Sequence, residues 1–146
     1  MFILGLAIFL FGFTFFIVWM GGDLLMYLDP PSLLVIAVPL LAVLTATKSF
    51  KVFYGGLKAM VQPKEPLSEE LRGQASSLYR LLSKTTALAS GIGVLIAAII
   101  IVVNIGDPFM MGKGIAVAII SVLYGLILIA AVFEPVVFNL KKRRQP

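Results

Sequence analysis

The chain has 146 residues, of which 60% are hydrophobic and 13% charged, and its formal net charge is +5. Soluble proteins average roughly half apolar and about a quarter charged residues, so this composition indicates an integral membrane protein. The length accommodates about four spans of roughly 20 residues. The sequence contains no Cys and no His, which excludes disulfides, Cys/His metal sites and imidazole acid–base chemistry. We therefore expect no enzyme, no cofactor and no metal site.

Four apolar stretches predict an all-α fold of four transmembrane helices. The first runs from about Phe2 to Met20 and is read as a retained span, because no basic residue precedes it and no small-x-small cleavage site follows it. The second runs from about Leu33 to Thr47, with a kink expected at Pro39. The third runs from about Leu88 to Asn104 and the fourth from about Ile115 to Leu140.

These spans divide the chain into four parts. Residues 1–47 form a first membrane hairpin, 48–87 a short segment with amphipathic helices, 88–140 a second membrane hairpin, and 141–146 a basic tail. Basic residues favour the cytoplasmic side of short loops, and most of them lie in the second and fourth parts. Both termini are therefore predicted to be cytoplasmic. Because these charges lie close to the spans, they indicate contact with membrane lipid and not binding of nucleic acid.

The cytoplasmic segment is divided by a helix-breaking stretch, Gln62 to Pro66. Before it, the spacing of apolar residues predicts a short amphipathic helix in the headgroup region. After it, Ser68 is the predicted N-cap of a helix that could continue unbroken into the third span. Its apolar face would need partners, and other copies of the same chain are the simplest source.

The loop motifs resemble those of MotA, the ion-channel subunit of the bacterial flagellar stator. One motif is Asp29-Pro30-Pro31-Ser32-Leu33, preceded by Gly21-Gly22. The other runs from Asn104 through Asp107-Pro108 to Leu123-Tyr124-Gly125, with Pro135 beyond it. The resemblance implies a multi-pass protein of the bacterial inner membrane that forms a homopentameric ring. It also implies a single-span partner of the MotB, ExbD or TolR kind, whose membrane aspartate carries the ion.

The chain also departs from the MotA pattern. Val38-Pro39-Leu40 stands where a Gly-Gly-Thr is common, Leu88 replaces a proline, and Val122 stands where the family has a hydroxyl, with Ser121 adjacent. The cytoplasmic segment is much shorter than in flagellar stators. The resemblance is therefore to a short, divergent member of the MotA/TolQ/ExbB superfamily.

The candidate functional residues fall into two groups. Small residues in the last two spans allow helices to approach closely, either at the partner or within one subunit. Glu134 is an acid inside a span, which indicates either ion handling or pairing with a basic residue in the headgroup zone. The predicted ion-pathway or partner-facing residues are Ser90, Gly91, Ala97, Ala118, Ser121, Val122, Gly125, Glu134 and Pro135. The predicted outer-loop motif residues are Asp29, Pro30, Asp107 and Pro108.

The resemblance predicts a stator subunit of a rotary motor driven by the proton-motive force, with flagellar motility as the process. An ExbB- or TolQ-like energiser is the alternative, although those proteins have three spans. A small four-span transporter would need an acid in the first span, where this chain has none. The spans offer few oxygen ligands, so H⁺ is favoured over Na⁺ as the transported ion.

Overall fold

The computed structural model describes residues 2–61 and 68–142, and every regular element in these two stretches is helical. The helices are α1 (Phe2–Trp19), α2 (Pro30–Ala46), α3 (Phe50–Val61), α4 (Glu69–Val103), α5 (Pro108–Leu128) and α6 (Glu134–Lys142). A short 3-10 turn lies at Leu24–Tyr27 and a π-helical turn at Ile129–Phe133.

Three helical stretches are long and apolar enough to cross a membrane: Phe2–Trp19, Glu69–Val103 and Pro108–Lys142. A fourth candidate is the pair α2 and α3, whose axes are bent by 112° relative to each other. The described part of the chain thus has three or four potential spans. The helix α2 continues through Pro39 to Ala46.

The two longest helical stretches form an antiparallel hairpin, in which α4 packs along α5. Ser68 caps α4, since its side chain accepts a hydrogen bond from the Leu71 N–H, and the helix then runs without interruption to Val103. The prediction of a helix that enters the third span unbroken is confirmed. At 35 residues, α4 is about 52 Å long.

The turn of this hairpin explains where α5 begins. Gly106 has a φ of +104°, a conformation that favours glycine, and the Asp107 carboxylate accepts hydrogen bonds from two N–H groups of the first turn. Pro108 follows at the first helical position, where a missing N–H costs nothing. The helix α5 therefore starts at Pro108, seven residues before the predicted start of the fourth span near Ile115. Lys113 consequently lies within α5 and not in a loop.

The π-helical turn between α5 and α6 keeps the last span continuous. The Glu134 N–H donates to the carbonyl of Ile129, five residues earlier, instead of the usual four. The next residue is Pro135, which has no N–H and whose ring crowds the preceding turn. The wider turn accommodates this proline without ending the helix.

A hydrophobic core lies where α3, α6 and the first half of α4 meet. Tyr79 is fully buried there, and its hydroxyl donates to the Phe53 carbonyl at 2.7 Å. Its ring stacks on Phe53 and meets Phe133 edge-on, with ring centroids 5.5 and 6.0 Å away. The predicted helix before the breaker is thus confirmed as α3. The breaker itself, residues 62–66, lies outside the described residues, as does most of the basic tail.

The first helix is peripheral. Among the described residues of α1, Ile17 alone is buried, and its phenylalanines are largely exposed. This is the pattern expected of a helix that faces lipid.

The hydroxyl of Tyr79 offers a test of the core. Replacing Tyr79 by Phe should lower the free energy of unfolding by about 1 kcal/mol, because the Phe53 carbonyl loses a donor while the ring packing is kept. Tyr54→Phe is the matched control, since Tyr54 is exposed on α3. Unfolding in SDS, followed by helical circular dichroism, measures both. Equal stability of the two variants would contradict this role for the hydroxyl.

Candidate functional site

The seam between α4 and α5 is built from small residues that leave no room for a larger side chain. A Cβ atom added at Gly93 would lie 2.8 Å from the Ser121 Cβ, and one added at Gly114 would lie 2.7 Å from the Ile101 side chain. A Cβ added at Gly125 would overlap the Ser90 hydroxyl. These contacts follow one another at helical spacing along both helices, so the backbones approach closely over much of the hairpin.

The structure divides the predicted ion-pathway residues into two sets. Ser90, Ala97, Ser121 and Gly125 are buried in or beside the seam, within a single chain. Packing inside one subunit, the alternative that the sequence left open, describes the contacts of this set. The remaining residues lie outside it: Gly91, Val122 and Glu134 are exposed, and Ala118 and Pro135 are half-buried. Their role in an ion pathway stays a prediction.

Two buried hydroxyls near the seam have no hydrogen-bond partner among the described residues. They are Thr86 Oγ1 and Ser121 Oγ, and both side chains are fully buried. Ser90, by contrast, donates to the Thr86 carbonyl at 3.0 Å. An unpaired hydroxyl in an apolar interior is unfavourable by roughly 1–3 kcal/mol. The close packing of this seam is therefore maintained although it leaves these two hydroxyls without a hydrogen bond.

A polar network holds the start of α2 against α5. The Tyr124 hydroxyl donates to the Tyr27 carbonyl and accepts from the Asp29 N–H, the latter at 3.1 Å. The Asp29 carboxylate caps α2 by accepting from the Ser32 N–H at 2.9 Å and the Ser32 hydroxyl at 2.5 Å. Ser32 Oγ also lies 3.3 Å from the Val117 carbonyl. The loop between α1 and α2 is thereby fixed to α5 by directional bonds.

This network separates the two outer-loop motifs. Asp29 and Pro30 precede Ser32, whose hydroxyl lies against the Val117 carbonyl, nine positions or about 14 Å along α5 from Pro108. Asp107 caps α5 at the tip of the hairpin. The structure therefore does not bring the two Asp-Pro motifs together, and the α4–α5 hairpin extends beyond the start of α2.

Glu134 connects the two arms of the hairpin at their other end. One of its carboxylate oxygens accepts a hydrogen bond from the Ser83 hydroxyl at 3.3 Å. The Glu134 side chain is exposed, whereas Ser83 is nearly buried. The carboxylate is thus open to its surroundings while one oxygen is held by α4.

Sequence reasoning missed several of these residues. Tyr124 stood in a recognised motif, but nothing in the sequence indicated that its hydroxyl bonds residues far away in the chain. Gly114 was likewise recognised only as part of a motif, and its close contact with Ile101 of α4 was not predicted. The spacing of Asp29 and Ser32, a capping residue followed three positions later by a second polar residue, could have indicated the α2 cap.

Comparison with known proteins gives partial and distant relatives, and no family model matches the chain. "Chemotaxis protein PomA" of Vibrio alginolyticus is 30% identical over 88 residues, which is 60% of this chain and 35% of that protein. "Motility protein A" of Aquifex aeolicus is 36% identical over 86 residues, 59% of this chain and 32% of that protein. The uncharacterized protein YtxD of Bacillus subtilis is 33% identical over 54 residues, 37% of this chain and 20% of that protein.

The chain spans about a third or less of the length of the curated relatives it matches. The similarity to two motility and chemotaxis proteins is consistent with the MotA resemblance of the loop motifs. It supports a MotA-like membrane protein at low sequence identity.

The close contact of Gly125 with Ser90 gives a prediction for the seam. Gly125→Ala should destabilise the chain by roughly 1–3 kcal/mol, because the added methyl group overpacks the interface. Adding Ser90→Gly should restore much of that loss, since it frees the space on the facing helix. SDS unfolding of the two single variants and the double variant measures the coupling energy.

Gly91→Ala is the matched control for that experiment. Gly91 lies on the same helix as Ser90, and a Cβ there would meet nothing within 4 Å. It should therefore leave stability unchanged or raise it slightly, because alanine favours helix. If Gly125→Ala behaves like Gly91→Ala, the tight seam is refuted.

Proposed function

We propose that this chain is the ion-channel subunit of a stator in a rotary motor driven by the proton-motive force, acting in flagellar motility. The observation that carries the proposal is the similarity to PomA and to motility protein A over about 60% of the chain. The long α4–α5 hairpin, with its glycine and serine seam, supports it as a rigid element on which a ring could be built.

The proposed assembly is a homopentamer around a single-span, MotB-like partner that carries a membrane aspartate. Outside the seam, α4 presents an apolar surface that includes Leu88, Ile92, Leu95 and Ile99, all more than half exposed. Such a surface can pack against neighbouring copies, the partner helix or lipid. In this proposal the chain lies in the bacterial inner membrane with both termini in the cytoplasm.

The distribution of hydroxyls supports H⁺ as the transported ion. Of the predicted pathway residues that are exposed or half-buried, Gly91, Ala118, Val122 and Pro135 have no side-chain oxygen, and Glu134 lies near the end of the last span, next to its basic tail. Ser90 and Ser121, which have a hydroxyl, are buried inside the chain. A sodium ion needs several oxygen ligands in place of its water, whereas a proton needs only the partner's carboxylate and a chain of water molecules. Exposed Glu134 would then receive the proton near the cytoplasmic side.

The assembly can be tested by native mass spectrometry of the purified chain in mild detergent. We expect a pentamer, because in the proposed ring the exposed face of α4 packs against identical neighbours. Leu95→Lys, which places a charge on that face, should reduce the pentamer, while Lys113→Gln, on α5, should leave it intact. A parent chain that is monomeric or dimeric at all detergent concentrations tested would overturn the proposed ring.

The ion coupling can be tested in liposomes. The chain alone should conduct little, because no acid lies near the middle of its spans. Co-reconstitution with a single-span protein that carries a membrane aspartate should give a proton flux, read with a pH-sensitive dye, that a partner Asp→Asn variant abolishes. A flux that follows the sodium gradient and ignores a protonophore would contradict the proton assignment.

A deletion strain distinguishes the machine that is driven. Loss of swimming with an intact envelope supports the flagellar role. An envelope or uptake defect with normal swimming supports the ExbB- or TolQ-like alternative instead.

A further inference from the structure

The exposed side of α3 has an arrangement that its packing on the core does not explain. The buried residues Gly56, Ala59 and Met60 face the core. At 100° per residue, Phe50, Tyr54 and Val61 fall within about 40° of one another on the opposite side. Their side chains are 48%, 68% and 49% exposed. This helix therefore has a second apolar stripe, exposed and outside the buried core cluster.

A basic flank borders this second stripe. Lys51 and Lys58 lie about 70° around the helix from its centre, and Lys51 is exposed. Lys48, also exposed, precedes the helix. The sequence contains no acidic residue between Asp29 and Glu65, so α3 itself and the loop before it carry positive charge only.

The position of α3 places both features at a membrane surface. The apolar helix α2 ends at Ala46, and α3 then turns away from it by 112°. A helix that follows a membrane helix at such an angle runs closer to the bilayer plane than to its normal. Aromatic residues beside lysines on one face are typical of helices that lie in the interface, with the apolar residues among the acyl chains and the lysines among the phosphates.

We infer that the exposed face of α3 is a binding surface for anionic phospholipid, with Phe50, Tyr54 and Val61 inserted into the leaflet and Lys48 and Lys51 contacting the phosphate groups. The occupant is a lipid because the charge of the lysines complements an anionic headgroup and the adjoining stripe matches its acyl region. This surface is separate from the α4–α5 hairpin and does not depend on the proposed stator function. It would attach the core formed by α3, α4 and α6 to the membrane surface.

A tryptophan at position 54 reports on this contact locally. The chain has one Trp, the exposed Trp19, so Tyr54→Trp is made in a Trp19→Phe background. In vesicles containing lipids brominated near the top of the acyl chain, we expect the fluorescence of this variant to be strongly quenched. Gln74→Trp in the same background is the control, since Gln74 is exposed on α4 and its side chain bonds Glu70 of the same helix, outside the stripe on α3. Equal quenching at the two positions, or none at position 54, would overturn the inference.

The same tryptophan tests the headgroup preference. Brominated phosphatidylglycerol should quench it more than brominated phosphatidylcholine at equal mole fraction. That preference should fall by about fivefold for each of Lys48→Gln and Lys51→Gln, which corresponds to about 1 kcal/mol per lysine at an anionic surface. The preference for phosphatidylglycerol should also weaken in about 0.5 M salt, because the Debye length falls to roughly 4 Å at that ionic strength.

Lys113→Gln is the control for charge, because Lys113 lies on α5, away from this corner. It should leave the preference at position 54 unchanged. If the two lipids quench the parent equally, or if Lys113→Gln lowers the preference as much as Lys51→Gln does, the anionic-lipid surface is refuted. Burial of position 54 against a second copy would show as protection from both lipids, which also refutes it.

Discussion

The close approach of α4 and α5 is the contact on which the rest of the structure depends. Gly93, Gly114 and Gly125 each stand where a Cβ would collide with the facing helix. In a bilayer, helices gain little by hiding apolar surface from one another, because the lipid is equally apolar. Van der Waals contact at short range is then the main attraction between them, and small residues give it the largest area. Thr86 and Ser121 each bury a hydroxyl that has no hydrogen-bond partner in the described part of the chain, so this close fit is kept although unpaired hydroxyls are unfavourable.

The attachment of α2 rests on a different interaction. At one end, Tyr124 bonds the loop before α2, and Asp29 and Ser32 complete the network. At the other end, Leu44 belongs to the hydrophobic core around Tyr79. Directional hydrogen bonds fix the depth of α2 along the hairpin, whereas the apolar core at the far end could tolerate sliding. Depth matters because it decides how far the tip of the hairpin extends beyond the neighbouring loop.

The sequence predicted those features that depend on neighbouring residues. The helix cap at Ser68 and the helix before the breaker follow from local patterns, and the structure contains both. The last long helix begins at its Asp-Pro cap, several residues before the apolar run from which the fourth span was predicted. The small residues were recognised, but their division between a buried seam and an exposed face was not. That division depends on how the two helices are rotated against each other, which composition does not specify.

Contacts between distant residues were beyond the reach of sequence patterns. Tyr124 and Asp29 are 95 positions apart, and Ser32 and Val117 are 85 positions apart. Neither pair has a sequence spacing or a composition that would predict the contact.

The same limit applies to α3, whose amphipathic pattern was visible in the sequence while its three distinct sides were not. Only after one side is assigned to the core does the remaining apolar stripe, with lysines beside it, require an explanation of its own. The exposed surface of α1, a helix long and apolar enough to cross a membrane, is the other large apolar surface that calls for a lipid-like environment.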